Sequence, residues 1–130
     1  MILAGAIAFL IPTRLHYEVA QAYSQPVIVP IVIETIPDLI LKYSAIYHVD
    51  AKQISTVMKC ESGGRQSAIG DGGHAIGIFQ YHKPTFTAFE KEMGETLDIN
   101  SYYDQIKMTT WAFSTGKQGH WTCYRKIHKV

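Results

Sequence analysis

The sequence predicts a mainly α-helical protein, built as a compact cluster of short helices around one core. Apolar residues recur at helical spacing after residue 34, and capping residues or glycines stand at the ends of each periodic stretch. Alternation typical of a strand is limited to the short AIGIFQY segment. A chain of 130 residues has room for one domain with a sizeable core, not two.

Two helices are predicted at the start of this domain. The first begins at a capping box formed by Thr35 and Asp38, and its apolar stripe continues to about His48. The second begins at Asp50, a good N-cap residue, and ends at the Gly63–Gly64 pair.

The rest of the domain is predicted as a loop followed by two further helices. Residues 63–83 are rich in glycine and contain only short apolar runs, which favours a loop. A third helix is predicted over residues 84–93, where Pro84 opens it and Gly94 ends it. A fourth is predicted from residue 100 or 101 to Ser114.

The N-terminal residues differ in kind. Residues 1–12, MILAGAIAFLIP, are apolar and uncharged. They are too few to span a bilayer, which takes about 20, but they fit the core of a signal peptide, and Ala-Gln-Ala at 20–22 offers a cleavage site. We predict that residues 1–34 form an apolar leader and linker, either a signal peptide or a membrane anchor, ahead of a domain at 35–130. The alternative is an apolar tail on a cytosolic protein.

Composition and charge narrow the function classes. A net charge of +1 without a basic stripe argues against nucleic-acid binding. Basic residues gather only at 124–129, YRKIHK, which we interpret as a solvated end. The six histidines are scattered without the spacing of metal ligands, so neither a metal nor a cofactor is predicted.

The stretch MKCESGG places an acid at the end of the second helix. The apolar stripe of Ile54, Val57 and Met58 continues to Glu61 at helical spacing. A carboxylate on the buried side of a helix, near its C-terminal end, is disfavoured as an anion unless it has a partner. Such a carboxyl suits a general acid. Periodicity alone leaves open the alternative that Glu61 turns outward at a frayed helix end.

The segment CESGGRQSAIGDGGHAIGIFQ resembles the catalytic core of the soluble lytic transglycosylases and goose-type lysozymes. Glu61–Ser62 match the Glu-Ser pair that closes a helix in that family, and Gly77–Gln80 match its Gly-hydrophobic-hydrophobic-Gln motif. Residues 112–116, AFSTG, approximate its Ala-Tyr-Asn-Ala-Gly motif. Three motifs in order over about residues 35–130 make the resemblance specific.

The resemblance implies a lysozyme-like fold with a glycine-rich active-site loop, and an enzyme that acts on peptidoglycan outside the cytoplasm. The expected reaction cuts the glycan strand between N-acetylmuramic acid and N-acetylglucosamine, leaving a 1,6-anhydromuramyl end. Glu61 is then the catalytic residue, acting first as general acid and then as base. The substrate-binding residues implied by the motifs are Ser62, Ile78, Phe79, Gln80, Phe113 and Ser114. For Ile78 and Phe79 the contact would use the backbone, and core packing is the alternative.

Two departures from the family pattern affect the third motif. Phe113 stands where the family has a tyrosine, and Ser114 where it has an asparagine. Tyr81, Tyr102 and Tyr103 are candidates to supply the missing hydroxyl.

Two other functions stay open. A muramidase would hydrolyse the same bond with water and needs a second carboxylate, for which Asp71 is the candidate; His74 is interpreted as a loop residue. The other is a non-catalytic glycan-binding module, which the changes at Phe113 and Ser114 leave possible.

The two cysteines are predicted to form one disulfide. Cys60 lies in the last helical turn, where the helix dipole opposes a thiolate, so a cysteine nucleophile is disfavoured. An exported protein meets oxidising conditions, which favours a bridge between Cys60 and Cys123. Two separate buried thiols are the alternative.

Overall fold

The computed structural model describes residues 33–129, which belong to one compact unit. The described residues form five α-helices and three short strands: α1 (Ile36–Tyr47), α2 (Ala51–Ser62), β1 (Ile69–Gly70), β2 (Ala75–Ile76), β3 (Tyr81–His82), α3 (Lys83–Met93), α4 (Tyr102–Ser114) and α5 (Thr122–Ile127). Single 3₁₀ turns occur at Asp71–Gly73 and Gln118–His120. The predicted mainly α fold class is confirmed.

The first two helices begin and end where their capping residues predict. The Thr35 N–H donates to Asp38 Oδ2 at 3.0 Å, and the Asp38 N–H donates back to Thr35 Oγ1, so the capping box is complete. Asp50 accepts a hydrogen bond from the Lys52 N–H at 2.8 Å. Gly63 ends α2 in the left-handed conformation, with φ of 68°, which a residue with a Cβ adopts at a cost.

The core lies between α1, α2 and α4. Helix α1 packs against both α4 and α2. Fully buried aliphatic and aromatic side chains from all three helices meet there with side chains from the loop, namely Leu39, Ile40, Ile54, Val57, Ile106, Met108, Ile78 and Phe79. This core holds the end of α2 against the segment that follows it.

The loop predicted at residues 63–83 contains a small sheet, which corrects the prediction. Strands β1, β2 and β3 form an antiparallel sheet in chain order, with Ile69 opposite Ile76 and Ala75 opposite His82. Each strand has two residues. A strand of two residues is too short to show the alternation by which strands are recognised in a sequence.

A buried amide connects this sheet to α4. The fully buried side chain of Gln105 accepts a hydrogen bond from the Phe79 N–H at 3.0 Å and donates to the Ile76 carbonyl at 3.1 Å. A Cβ at Gly77 would lie 2.1 Å from Gln105 Nε2. Only glycine therefore fits at position 77 while the Gln105 side chain keeps its place.

The C-terminal segment forms structure that the sequence did not predict. After the 3₁₀ turn, Trp121 is buried and precedes α5. Its Nε1–H donates to the Phe79 carbonyl at 3.0 Å, and its ring packs against those of Tyr81 and Phe113 at centroid distances of 5.5 and 5.3 Å. Trp121 thus fastens this segment to the sheet and to α4.

The predicted disulfide is present. Cys60 in α2 is bonded to Cys123 in α5. Their Cα atoms are 5.9 Å apart, and the two residues are separated by 63 positions in sequence. The far end of α5 is held to the same helix, because the Gln53 Nε2 and the His128 Nε2 lie 3.1 Å apart. Helix α5 is therefore attached to α2 near both of its ends.

The predicted leader lies outside the described residues, apart from Ile33 and Glu34. Its role in export or anchoring stays a prediction. Among residues 33–129, no helix has the length and apolar character needed to cross a membrane.

We expect the double substitution Cys60→Ser with Cys123→Ser to lower the free energy of unfolding by about 4 kcal/mol, because it removes a covalent link that closes a long loop. Urea unfolding of the oxidised wild type and the double variant measures this difference. The wild type unfolded in the presence of dithiothreitol is the matched control and should behave as the variant does. A difference below about 1 kcal/mol would contradict a stabilising role for the bridge.

Candidate active site

A cleft of about 530 Å³ opens beside the end of α2. Its walls come from α2, the sheet, the start of α3 and the C-terminal segment. The polar side chains that line it include Glu61, Asp71, Gln80, His82, His120 and Thr122. Four separate parts of the chain therefore meet around one concave surface, which is where a binding site is expected.

Glu61 lies on the wall of this cleft and is half-buried. Its Oε1 accepts a hydrogen bond from the Cys123 N–H at 3.1 Å. The first amides of a helix have no partner within the helix, and Trp121, which precedes α5, makes no side-chain cap. The Glu61 carboxylate thus supplies the missing acceptor for α5. The outward-turned alternative does not describe this side chain.

The hydrogen bond and the disulfide connect the same two segments. Cys123, whose amide holds Glu61, is bonded through its sulfur to Cys60, the residue before Glu61. The position of the carboxylate is therefore fixed both by its own helix and by a covalently attached second helix.

Asp71 and His82 form a pair at the same cleft. The Asp71 Oδ2 lies 3.2 Å from the His82 Nε2. Asp71 has φ of 47°, and Gln80, also on the cleft wall, has φ of 51°. Left-handed backbone is uncommon for residues other than glycine and concentrates at functional sites. Asp71 begins the 3₁₀ turn between β1 and β2, and Gln80 directly precedes β3.

Ser62 faces the interior. It is buried, its Oγ donates to the Ile78 carbonyl at 2.7 Å, and it accepts a hydrogen bond from the Gly64 N–H at 3.1 Å. This hydroxyl fastens the end of α2 to the segment that carries Gln80. It thereby supports the cleft wall next to Glu61.

Gln80 is half-buried on the cleft wall, and its amide also stabilises the sheet. The Nε2 group donates to the Gly77 carbonyl at 2.8 Å and to the Ala68 carbonyl at 3.2 Å. Its Oε1 occupies the space over Gly70, where a Cβ would lie 2.3 Å from that oxygen. Gln80 is thus oriented by its neighbours before any ligand arrives.

Ile78 and Phe79 lie in the core, and neither is among the residues that line the cleft. Both side chains are fully buried. Their backbone groups are also engaged, since the Ile78 carbonyl accepts from Ser62 and the Phe79 carbonyl accepts from Trp121. Both side chains therefore pack in the core, which was the alternative to substrate contact.

Neither Phe113 nor Ser114 lines the cleft. Phe113 is buried against the rings of Trp121 and Tyr124, at centroid distances of 5.3 and 5.5 Å. The exposed Ser114 Oγ donates to the Trp111 carbonyl of its own helix at 2.7 Å. Phe113 therefore shapes the cleft through Trp121.

The three tyrosines proposed to replace the missing hydroxyl do not present one to the cleft. Tyr81 lines the cleft, but its hydroxyl is buried and lies 3.0 Å from Thr109 Oγ1. Burial raises the pKa of Tyr81, and the hydrogen bond to Thr109 offsets only part of this, so the phenol stays protonated. The Tyr103 hydroxyl bonds to that of Tyr43, and Tyr102 does not line the cleft.

The sequence did not single out several residues on the cleft wall: His82, Thr85, His120, Trp121 and Thr122. One signal for His120, Trp121 and Thr122 was available, because a bridge between Cys60 and Cys123 brings the residues before Cys123 close to Glu61.

The predicted loop residue His74 is exposed and does not line the cleft. Within residues 33–129, no three His, Cys, Asp or Glu side chains are grouped to hold a metal ion.

The described residues form a mainly helical domain with a small sheet and a cleft that carries Glu61, which is consistent with a lysozyme-like fold. Residues 38–115 match the family model described as the transglycosylase SLT domain, which is more than half of the chain. The chain belongs to this family, which confirms the resemblance and the lysozyme-like fold. Membership supports a peptidoglycan-acting, lysozyme-like function. No curated protein and no solved structure matched the chain.

We expect Ser62→Ala to lower the free energy of unfolding by about 1–3 kcal/mol, because the buried Ile78 carbonyl loses its hydrogen bond. Thermal or urea unfolding measures the change. Ser114→Ala, which removes a hydroxyl from an exposed position, is the matched control and should change stability by less than about 0.5 kcal/mol. Equal effects of the two substitutions would show that the bond from Ser62 to Ile78 contributes nothing.

Proposed function

We propose that the protein is an exported lytic transglycosylase that cleaves the bond between N-acetylmuramic acid and N-acetylglucosamine in peptidoglycan. The observation that carries this proposal is the placement of Glu61, whose carboxyl lines the cleft and is held by the Cys123 amide. The family match supports the substrate class. The disulfide supports an extracytoplasmic location, since such bonds persist under oxidising conditions.

In the first step Glu61 acts as general acid. Its carboxyl donates a proton to the glycosidic oxygen as the bond from that oxygen to the muramyl C1 breaks. The N-acetyl group of the substrate stabilises the positive charge that develops at C1. The N-acetylglucosamine side leaves with a hydroxyl group, and Glu61 is left as a carboxylate.

In the second step Glu61 acts as general base. The carboxylate takes the proton of the muramyl C6 hydroxyl as that oxygen bonds to C1 and closes the 1,6-anhydro ring. Water is not consumed, and Glu61 is protonated again for the next cycle. This sequence needs one carboxylate, whereas most glycosidases use a pair of carboxyl groups.

Gln80 is the motif residue that we propose to contact the sugar, because it lies on the cleft wall with a fixed orientation. Ser62, Ile78, Phe79 and Phe113 act on the substrate indirectly, by holding this wall and Trp121 in place. Thr85 and Thr122 add hydroxyl-bearing residues to the cleft. These two are candidates for the role of the missing tyrosine.

Hydrolysis of the same bond is the second candidate, and Asp71 is the observation that favours it. This carboxylate lines the same cleft as Glu61 and is paired with His82. In a muramidase it would activate water or stabilise the charge at C1.

We expect Glu61→Gln to lower the rate of muropeptide release from purified peptidoglycan by about 10²–10⁴-fold, because the amide cannot transfer a proton. The glutamine oxygen can still accept the Cys123 N–H, so the melting temperature should change little. A variant that keeps more than a tenth of the wild-type rate would exclude Glu61 as the catalyst. If wild type and variant bind cell walls equally and neither releases muropeptides, the protein is a glycan-binding module.

The two reactions differ in their products, so mass spectrometry of the released muropeptides separates them. We expect anhydromuramyl ends from the wild type and equally from Asp71→Asn, because the transglycosylase needs only Glu61. Reducing muramyl ends that disappear in Asp71→Asn would establish the muramidase instead. The Glu61→Gln variant, which is expected to release neither product, is the negative control.

A further inference from the structure

A second groove adjoins the cleft at its C-terminal side. It has a volume of about 450 Å³ and is lined by Gly116, Lys117, Gly119, His120 and Arg125. We call it the C-terminal groove. His120 lines both the cleft and this groove, so the two surfaces share one side chain.

The two surfaces differ in charge. The cleft carries the carboxylates of Glu61 and Asp71, whereas the lining of the C-terminal groove includes Lys117 and Arg125 and no acid. Residues 116–129 contain four lysines and arginines and no aspartate or glutamate. The groove therefore suits an anion, and the cleft does not.

The guanidinium of Arg125 is already oriented. Its Nη1 donates to the Gly119 carbonyl and its Nη2 to Thr122 Oγ1 at 3.0 Å. A guanidinium has five N–H donors, so these two bonds fix the group while up to three donors are left for a ligand. A group that is already held loses little conformational entropy when it binds an anion.

Lys117, in the same lining, is held by contacts of its own. Its Nζ pairs with Glu92 Oε2 at 2.8 Å and lies 5.8 Å from the ring centroid of Trp111. Glu92 belongs to α3 and does not line the groove. The ammonium group has three donors, so one carboxylate partner leaves it able to bind a second.

The chemistry of peptidoglycan identifies the anion. Its N-acetylated sugars are uncharged, and its carboxylates are carried by the peptide stems attached to the muramyl residues. His120 lines both surfaces, so a stem that leaves a muramyl residue in the cleft past His120 reaches the groove. We propose that the C-terminal groove binds a carboxylate of the peptide stem through Arg125 and Lys117, so that the protein recognises stem-bearing strands. This rests on the proposed function, in which the glycan occupies the cleft.

The groove is a feature of the segment beyond the matched family domain. The family model covers residues 38–115, and every residue that lines the groove follows it. The same C-terminal segment supplies the Cys123 amide to Glu61.

Binding to defined glycan strands tests the proposal, measured in the full chain carrying Glu61→Gln so that the strands are not cut. The probes are uncrosslinked strands with peptide stems, the same strands after an amidase has removed the stems and the lactyl carboxyls it exposes have been converted to amides, and stem-bearing strands whose carboxyls have been converted to amides. We expect the dissociation constant for stem-bearing strands to be about tenfold lower than for the other two, the size of one hydrogen bond to a charged group.

Two double variants separate the groove from general charge. Lys117→Gln with Arg125→Gln should abolish the tenfold preference, whereas Lys126→Gln with Lys129→Gln, which removes two charges outside the groove lining, should retain it. Lys117→Gln alone, which leaves the Arg125 hydrogen bonds intact, should weaken the preference if the first double variant is unstable.

Equal binding of the three probes, or an equal loss in both double variants, would overturn the proposal. The proposed function is judged separately, by whether the wild type cuts stem-bearing or stem-free strands at all. A protein that cuts strands without preferring stem-bearing ones in the binding assay is a transglycosylase without stem recognition. A preference without cleavage would leave the groove assignment standing and overturn the catalytic one.

Discussion

The attachment of α5 to the end of α2 is the constraint on which the cleft depends. An isolated helix of six residues is not stable in water, so α5 keeps its place through the Cys60–Cys123 bond and the burial of Trp121. Its amide then holds Glu61, and the residues before it form one wall of the cleft. Without this attachment Glu61 would still lie in the last turn of α2, but it would lack both its hydrogen-bond donor and the cleft wall formed by the residues before α5.

Buried polar side chains give the small sheet the order that its strands cannot supply. Strands of two residues make few hydrogen bonds with each other, and the intervening backbone would be left unpaired in the interior. Ser62, Gln105 and Trp121 each bond to the backbone of residues 76–79 from a different element. Three elements therefore meet at the motif Gly-Ile-Phe-Gln. Of its residues, Gln80 lines the cleft, whereas Ile78 and Phe79 lie in the core.

The sequence predicted those parts of the molecule whose determinants are local. Thr35, Asp50 and Gly63 mark helix ends through hydrogen bonds or backbone conformations within a few residues, and Glu61 was found from helical spacing together with the motif order. The sheet and α5 were missed because their elements are shorter than the stretch of sequence over which a periodic pattern can be recognised. His82 and His120 were missed because their place at the cleft follows from contacts between residues distant in sequence. For Ile78 and Phe79, the motif could not distinguish packing in the core from contact with substrate, because the motif contributes residues to both the core and the cleft.

The bond between Glu61 and the Cys123 amide has a consequence for the order in which the molecule is made. These two residues lie 62 positions apart, and a ribosome adds the glutamate long before the amide that will hold it. The helices that form the core are complete by residue 114, so a nascent chain can contain nearly all of the fold while its cleft still lacks one wall. Assembly of the cleft is therefore among the last events in the synthesis of this domain, after the core that supports it.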